Sequence, residues 1–308
     1  MKAETMGRGI GAAIAAAALY AFVPNLARLA FERGIPALQT VTLRTIAAMV
    51  LMGAWALLAK QRFTIPAEAR GSFVVQCLAT LSISVCYLAS LQFIPVSLSV
   101  IIFFTAPIIV LVLSPLLEGR SLSLRNCLMA LTAFAGLAIA LGPSFKQLNI
   151  TGLGLAATAA LGYAAQFFSG RKLGQYLQPQ AMGSMVHLTI LPPVVLIALW
   201  FGQGDVALFK PASLSNAWLL VVLTGLFYCA AYVMQMSAVK AAPASVVAPW
   251  FNLEPVITIG LALLLLGEKL EATHIAGGLI VLGVLLANAW LDRDDNGNLK
   301  RQSLKEAT

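Results

Sequence analysis

Ten predominantly apolar stretches follow one another along the chain, at 9–31, 40–59, 72–93, 96–117, 124–142, 152–173, 180–201, 216–240, 245–266 and 273–291. Each is close to the ~20 residues that a helix needs to cross a hydrocarbon core of about 30 Å. Barrel strands would instead alternate in polarity over about ten residues. These stretches are continuously apolar, so helices are expected. Most of the connections are under a dozen residues, which leaves no room for a soluble domain. Only Ile94 and Pro95 divide the third stretch from the fourth. Proline stops a preceding helix and is accepted in the first turn of the next, so a tight turn is expected there. The first stretch follows Lys2 and Arg8 and is alanine-rich. It is longer than a signal-peptide core, and no cleavage site stands before Arg28, so an uncleaved first span is expected.

Composition agrees. Of 308 residues, 60% are hydrophobic and 10% charged, against about 45–50% and about 25% in soluble domains. A soluble fold with a mean hydropathy of +0.88 would have too little polar surface. A secreted disulfide scaffold, a disordered chain and a single-anchor protein are excluded on the same ground. The four cysteines, Cys77, Cys86, Cys127 and Cys229, lie inside apolar stretches and form no C-x-x-C pair, so no metal site is expected. The net charge of +8 does not point to nucleic acid, because the basic residues sit in the short loops. With the N-terminus inside, the inner segments hold Lys2, Arg8, Lys60, Arg62, Arg70, Arg120, Arg125, Arg171, Lys172, Lys240, Arg293, Lys300, Arg301 and Lys305. The outer loops hold only Arg33, Lys146, Lys210 and Lys269, with Arg28 and Arg44 at or within outer span ends. By the positive-inside rule both termini are expected to be cytoplasmic, in a multi-pass protein of the cell inner (plasma) membrane.

The chain also repeats. Gly9, Gly11 and Tyr20 match Gly152, Gly154 and Tyr163 at an offset of 143. Pro95 and Pro107 match Pro243 and Pro255 at an offset of 148; Glu118 and Glu268 each close the span that follows, and Gly136 matches Gly283. Residues 1–145 and 146–292 are thus expected to be two five-span repeats, with 293–308 a cytoplasmic tail. An odd number of spans per copy inverts the second copy, the plan of many secondary transporters. The expected fold class is all-α integral membrane, with ten transmembrane helices as two inverted five-helix repeats. In the tail, Asp292, Asp294, Asn296 and Gly297 resemble the start of a calcium loop. The bidentate Glu is replaced by Ser303, and a solvated linker is expected instead.

From Ala89 the sequence reads A-S-L-Q-F-I-P-V-S-L-S-V-I-I-F-F-T-A-P-I, then L-L-E-G-R-S-L. The second half reads M-S-A-V-K-A-A-P-A-S-V-V-A-P-W-F-N-L-E-P-V, then L-L-L-G-E-K-L and A-G-G-L-I-V-L-G-V. This resembles the EamA repeat of the drug/metabolite transporter superfamily over nearly the whole chain. In that repeat a small-residue turn with proline enters span four or nine, a second proline lies mid-span, and a Glu ends the span. The first copy departs slightly, because Glu118 precedes its glycine. The resemblance implies a ten-span carrier or facilitator for amino acids or other metabolites. It further implies a central cavity lined mainly by spans one, three, four, six, eight and nine.

Ionisable groups inside the bilayer cost about 2.5–3.5 kcal/mol on insertion scales, so each needs a reason. Glu254 stands near the middle of span nine, before a Pro255 expected to kink the helix. It suits a protonatable substrate contact or a proton-coupling site, and equally a protonated group that satisfies the kink. His187, the repeat counterpart of Arg44, suits a substrate contact, a proton carrier or a neutral bridge between helices. Arg44 suits a substrate carboxylate, an outward-snorkelling cation or a partner of Glu32. Arg28 and Lys240 read as interface residues. The uncharged set is Tyr20, Asn25, Tyr87, Gln92, Phe103, Phe104, Tyr163, Gln166, Tyr228, Tyr232, Gln235, Trp250 and Asn252. Tyr228, Tyr232 and Gln235 share one helical face. Lipid offers an amide no partner, so this set is expected to face the interior, either as a substrate cavity or as interhelical hydrogen bonds.

No G-x-S-x-G, H-E-x-x-H or glycine-rich phosphate motif is present, so no enzyme and no cofactor are expected. The expected function is alternating-access export of a small organic metabolite, an amino acid or related compound. Hinges are expected at Pro95, Pro107, Pro243 and Pro255, with protons as the candidate coupling ion and a monomer or homodimer as the assembly. A flippase for lipids or lipid-linked headgroups, and an uptake carrier of the same fold, are the alternatives.

Overall fold

The computed structural model describes residues 3–33, 35, 37–90, 93–94, 96–117, 119, 124–142, 148–201, 216–266 and 271–287. The expectations for Gln92, Pro95, Glu118, Glu268 and the segment from Asp292 onward lie outside them. Among the described residues the secondary structure is helical, without strands. In chain order the helices are α1 (Ala3–Glu32), α2 (Ala37–Leu58), α3 (Arg70–Ser90), α4 (Val96–Phe103), α5 (Ala106–Leu117) and α6 (Leu124–Leu141). Then come α7 (Ile150–Leu173), α8 (Pro179–Phe201), α9 (Asn216–Ala241), α10 (Ala244–Val247), α11 (Leu253–Leu266) and α12 (Ala272–Ala287). Local signals set their ends. The Asn149 side chain accepts from the Gly152 amide at 3.1 Å and starts α7. Gly142, at φ 48°, turns the chain away after α6.

Among the described residues, eight helical stretches are long and apolar enough to cross a membrane. Cys127–Leu141 and Ala272–Ala287, where spans five and ten are expected, are shorter apolar helices. Polarity is inside out relative to a soluble protein. Leu58, Leu116 and Trp200 are more than 80% exposed, whereas Gln76, Thr224 and Gln235 have no exposure at all. Lipid solvates the former and offers the latter nothing, so the bundle interior is where amides find partners.

Spans four and nine are not kinked helices but interrupted ones. Span four ends α4 at Phe103, turns through Phe104 and Thr105, and resumes as α5. Thr105 closes the turn, its hydroxyl donating to the Ile102 carbonyl at 2.6 Å. Span nine runs from α10 through a 3-10 segment, Ala248–Asn252, into α11. Pro107 and Pro255 therefore sit in the first turns of new helices, where a missing N–H leaves no hydrogen bond unmade. The expected kink at Pro255 is replaced by a break that precedes it. Pro243 is the N-cap of α10.

α1 packs along α9, α3 along α7, and α2 along α8, so helices from the two halves alternate through the bundle. Two close approaches repeat the sequence offsets. A Cβ on Gly9 would stand 2.6 Å from the Ala242 Cβ, and one on Gly152 would stand 2.8 Å from Ile94 Cγ2. Gly9 and Gly152 are 143 apart; Ile94 and Ala242 are 148 apart.

Candidate substrate site

A ladder of side-chain hydrogen bonds crosses the bundle. The Tyr20 hydroxyl on α1 donates to Gln235 Oε1 on α9 at 2.7 Å. Gln235 Nε2 donates to Gln166 Oε1 on α7 at 2.9 Å, and Gln166 Nε2 donates to the Thr80 hydroxyl on α3 at 3.0 Å. A second branch runs beside it: Ser169 donates to Gln76 Oε1, and Gln76 Nε2 donates to the Tyr232 hydroxyl at 3.0 Å. Each bond joins a helix of the first half to one of the second, or two helices of the second half. In a bilayer these amides have no water to fall back on, so the ladder fixes the register of all four helices. Gln235→Leu removes the acceptor of Tyr20 and the donor to Gln166 together. It is expected to cost about 1–3 kcal/mol, above the ~0.6 kcal/mol typical of one interhelical hydrogen bond in a membrane bundle. The check is the thermal midpoint in detergent; an unchanged midpoint would mean that apolar packing serves as well.

An aromatic wall stands against the ladder. Tyr163 stacks on Phe103 at 4.7 Å between centroids, Tyr87 meets the same Phe103 at 5.0 Å, and Phe104 packs edge-on to it. Phe167 and Phe251 extend the wall toward the break in span nine. Glu254, in the first turn of α11, is half-buried and within electrostatic range of Tyr20, Tyr87 and Tyr163. Among the described residues its carboxylate makes no hydrogen bond or ion pair. Asn25 on α1 donates to the Ala21 carbonyl at 3.0 Å and the Thr258 carbonyl at 3.2 Å, which ties α1 to α11. Trp250 Nε1 and Asn252 Oδ1 are buried in the break without a partner among the described residues.

A third group lies beyond Tyr20. Tyr228 packs against Tyr20 edge-on at 6.0 Å, and the Arg44 guanidinium sits over the Tyr228 ring at 4.3 Å. Arg44 also reaches the Ser84 hydroxyl at 3.5 Å, while its Nε is buried without a partner among the described residues. Arg44 does not pair with Glu32; that carboxylate is taken by Arg28, 3.5 Å away and one turn behind it. The i,i+4 spacing on one helix reaches a partner that a residue across the loop does not. His187 Nδ1 lies 2.7 Å from the Gly183 carbonyl and Nε2 3.0 Å from the Tyr228 hydroxyl. A carbonyl only accepts, so Nδ1 carries the proton and Nε2 accepts from Tyr228. Both ring nitrogens thus bind the protein and bridge α8 to α9.

The sequence profile of the EamA-like transporter family matches residues 7–142 and 150–289. The chain belongs to the EamA-like transporter family. It is therefore a multi-pass membrane protein of a transporter family, of the drug/metabolite type, with two EamA repeats. No curated protein matches the sequence of this EamA-like chain. Among solved structures 29 chains match. One of them, a crystal structure of a protein, superposes with a TM-score of 0.76 at 16% identity, covering 95% of this chain and 100% of that one. At that identity the likeness shows the fold.

Within this EamA-like fold the structure gathers Tyr20, Tyr87, Phe104, Tyr163, Gln166, Tyr228, Tyr232, Gln235 and Glu254 around the ladder and its aromatic wall. Lys240 stands apart at the end of α9, its ammonium 2.9 Å from Gln178 Oε1. Gln76, Thr80 and Ser169 belong to the network although no sequence reading singled them out. Their signal was periodic: Gln76, Thr80, Ser84 and Tyr87 form a polar stripe along one face of α3.

Proposed function

We propose that this protein is an alternating-access carrier that exports a small zwitterionic metabolite, an amino acid or related compound, across the inner membrane. One observation carries the substrate class. Charged groups of opposite sign, Glu254 and Arg44, flank the Tyr20–Tyr228 pair in the bundle interior with no ion-pair partner among the described residues. A carboxylate and a guanidinium held apart by aromatic rings suit an ammonium at one end and a carboxylate at the other. In this reading the residues of the ladder and the aromatic wall line the site, with Asn25, Trp250 and Asn252 at its edges. Pro107, Pro243 and Pro255 mark where the halves flex.

Ten spans in two inverted repeats, with cytoplasmic termini, complete the proposal. The paired contacts of α1 with α9 and α3 with α7 support it. So do the breaks in spans four and nine, and the two glycine contacts at the same offsets. Broken helices at a repeat interface are where secondary transporters bind their substrates.

The test is a thermal-shift screen of the detergent-purified protein against a metabolite library at two pH values. A ligand at a hundred times its Kd stabilises a folded state by about 2.7 kcal/mol. Amino acids are expected to raise the midpoint, and Tyr232→Ala to remove the effect. A response confined to lipids or lipid-linked sugars would replace the carrier with a flippase.

A further inference from the structure

A cavity of about 880 Å³ lies between the ends of α3, α5 and α7, and neither Glu254 nor Arg44 lines it. It sits at the end of the bundle where Lys60, Arg62, Arg70, Arg171, Lys172 and Lys240 gather. Its walls are of two kinds. Val75, Leu117 and Leu161 line it and are themselves exposed, so in a bilayer the cavity opens sideways into acyl chains. Toward the helix ends the lining turns polar, with Ser72, Glu68, Arg171 and Lys172. Arg171 is anchored there by donating to the Val239 carbonyl at 3.1 Å, and Lys172 is exposed at the rim. Among the described lining residues one carboxylate stands against two cations, a positive balance. Apolar depth, lateral opening and a cationic rim at headgroup level match one ligand in shape and charge.

We propose that this cavity binds an anionic phospholipid of the adjoining leaflet, its phosphate on Lys172 beside Arg171 and an acyl chain against Val75 and Leu161. The site reaches the centre of the bundle. Ser169, which also lines the cavity, donates to Gln76, and Gln76 donates to Tyr232. A bound lipid therefore rests on the first rung of the polar network. The proposal does not depend on which solute the protein carries.

The full chain, purified from an equimolar mixture of phosphatidylglycerol and phosphatidylcholine with identical tails, is examined by native mass spectrometry. Phosphatidylglycerol is expected to be retained preferentially. Lys172→Gln is expected to cut that preference about fivefold, the effect of one basic residue near a charged membrane surface. A second variant separates cavity from surface. A Cβ on Gly71, which lines the cavity, meets nothing within 4 Å, so Gly71→Phe can start a ring there to obstruct the space. It is expected to abolish retention. Equal retention of the two lipids, or a preference unchanged in Lys172→Gln, overturns the proposal. If Gly71→Phe retains phosphatidylglycerol as the parent does, the contact is at the surface and the cavity assignment falls. Displacement by inorganic phosphate alone would make the ligand a free anion and overturn it too.

Discussion

Glu254→Gln is expected to abolish proton-driven accumulation in proteoliposomes while exchange at high substrate concentration continues. The amide has nearly the shape of the acid, so packing in the first turn of α11 is preserved. What is lost is the charge and the ability to take up and release a proton. That loss matters here because no group among the described residues hydrogen-bonds the Glu254 carboxylate, while Tyr20, Tyr87 and Tyr163 lie within electrostatic range of it on three helices. A carboxylate so placed costs about 2.5–3.5 kcal/mol on insertion scales unless something offsets it. In the proposed carrier the offset comes alternately from the substrate's ammonium and from a proton. A charge-assisted hydrogen bond contributes about 1.5–3 kcal/mol, so affinity for an amine-bearing substrate should fall about 10–150-fold. Binding measured across pH separates the roles. A pure coupling residue would leave affinity intact, and a pure contact would lower it at every pH. A variant with the parent's affinity and the parent's pH dependence would remove Glu254 from the mechanism.

Much of this was legible because lipid imposes so few solutions. A run of apolar residues long enough to cross a bilayer must be helical, and a polar side chain within it must turn inward. Hence the helices, and the inward placement of Gln166, Gln235 and Tyr232, follow from patterns visible in one dimension. What escaped the sequence depends on partners far along the chain. The prolines of spans four and nine announced a disturbance, but whether a proline bends a helix or starts a new one depends on the residues before it. Thr105 and the 3-10 segment at Ala248–Asn252 settle that, and neither has a distinctive spacing. Arg44 was within plausible reach of Glu32 by sequence, yet a guanidinium near an aromatic ring and a serine turns inward instead. The polar stripe of α3 marks Gln76 in the sequence, but its partners Ser169 and Tyr232 stand on two other helices, and only the fold brings them together.

The matched glycines Gly136 and Gly283 carry a related lesson, since similarity of position did not mean similarity of contact. A Cβ on Gly136 would meet Ile280 Cβ at 2.9 Å and the Gly277 carbonyl at 3.0 Å, whereas one on Gly283 would meet nothing within 4 Å. Across the α6–α12 crossing Gly136 faces Gly277. A Cβ there would collide with the Gly136 carbonyl oxygen and with the backbone nitrogen and Cβ of Ala140. Backbone atoms cannot rotate aside as a side chain can, so the helices themselves would have to separate. Gly277→Val is therefore expected to destabilise the bundle by about 2–3 kcal/mol, the range of overpacking a tight interior. At this size that corresponds to a fall of about 3–5 °C in the thermal midpoint. Gly283→Ala, on the same helix, is expected to be neutral or stabilising, because it relieves up to ~1 kcal/mol of glycine's helix penalty and meets no neighbour. The pair is decisive together, because composition and helix propensity treat both sites alike. Equal midpoints for the two variants would mean that α12 rides loosely on α6. A large fall for Gly277→Val alone would show that contact at this crossing, and not hydropathy, seats the last helix against the bundle.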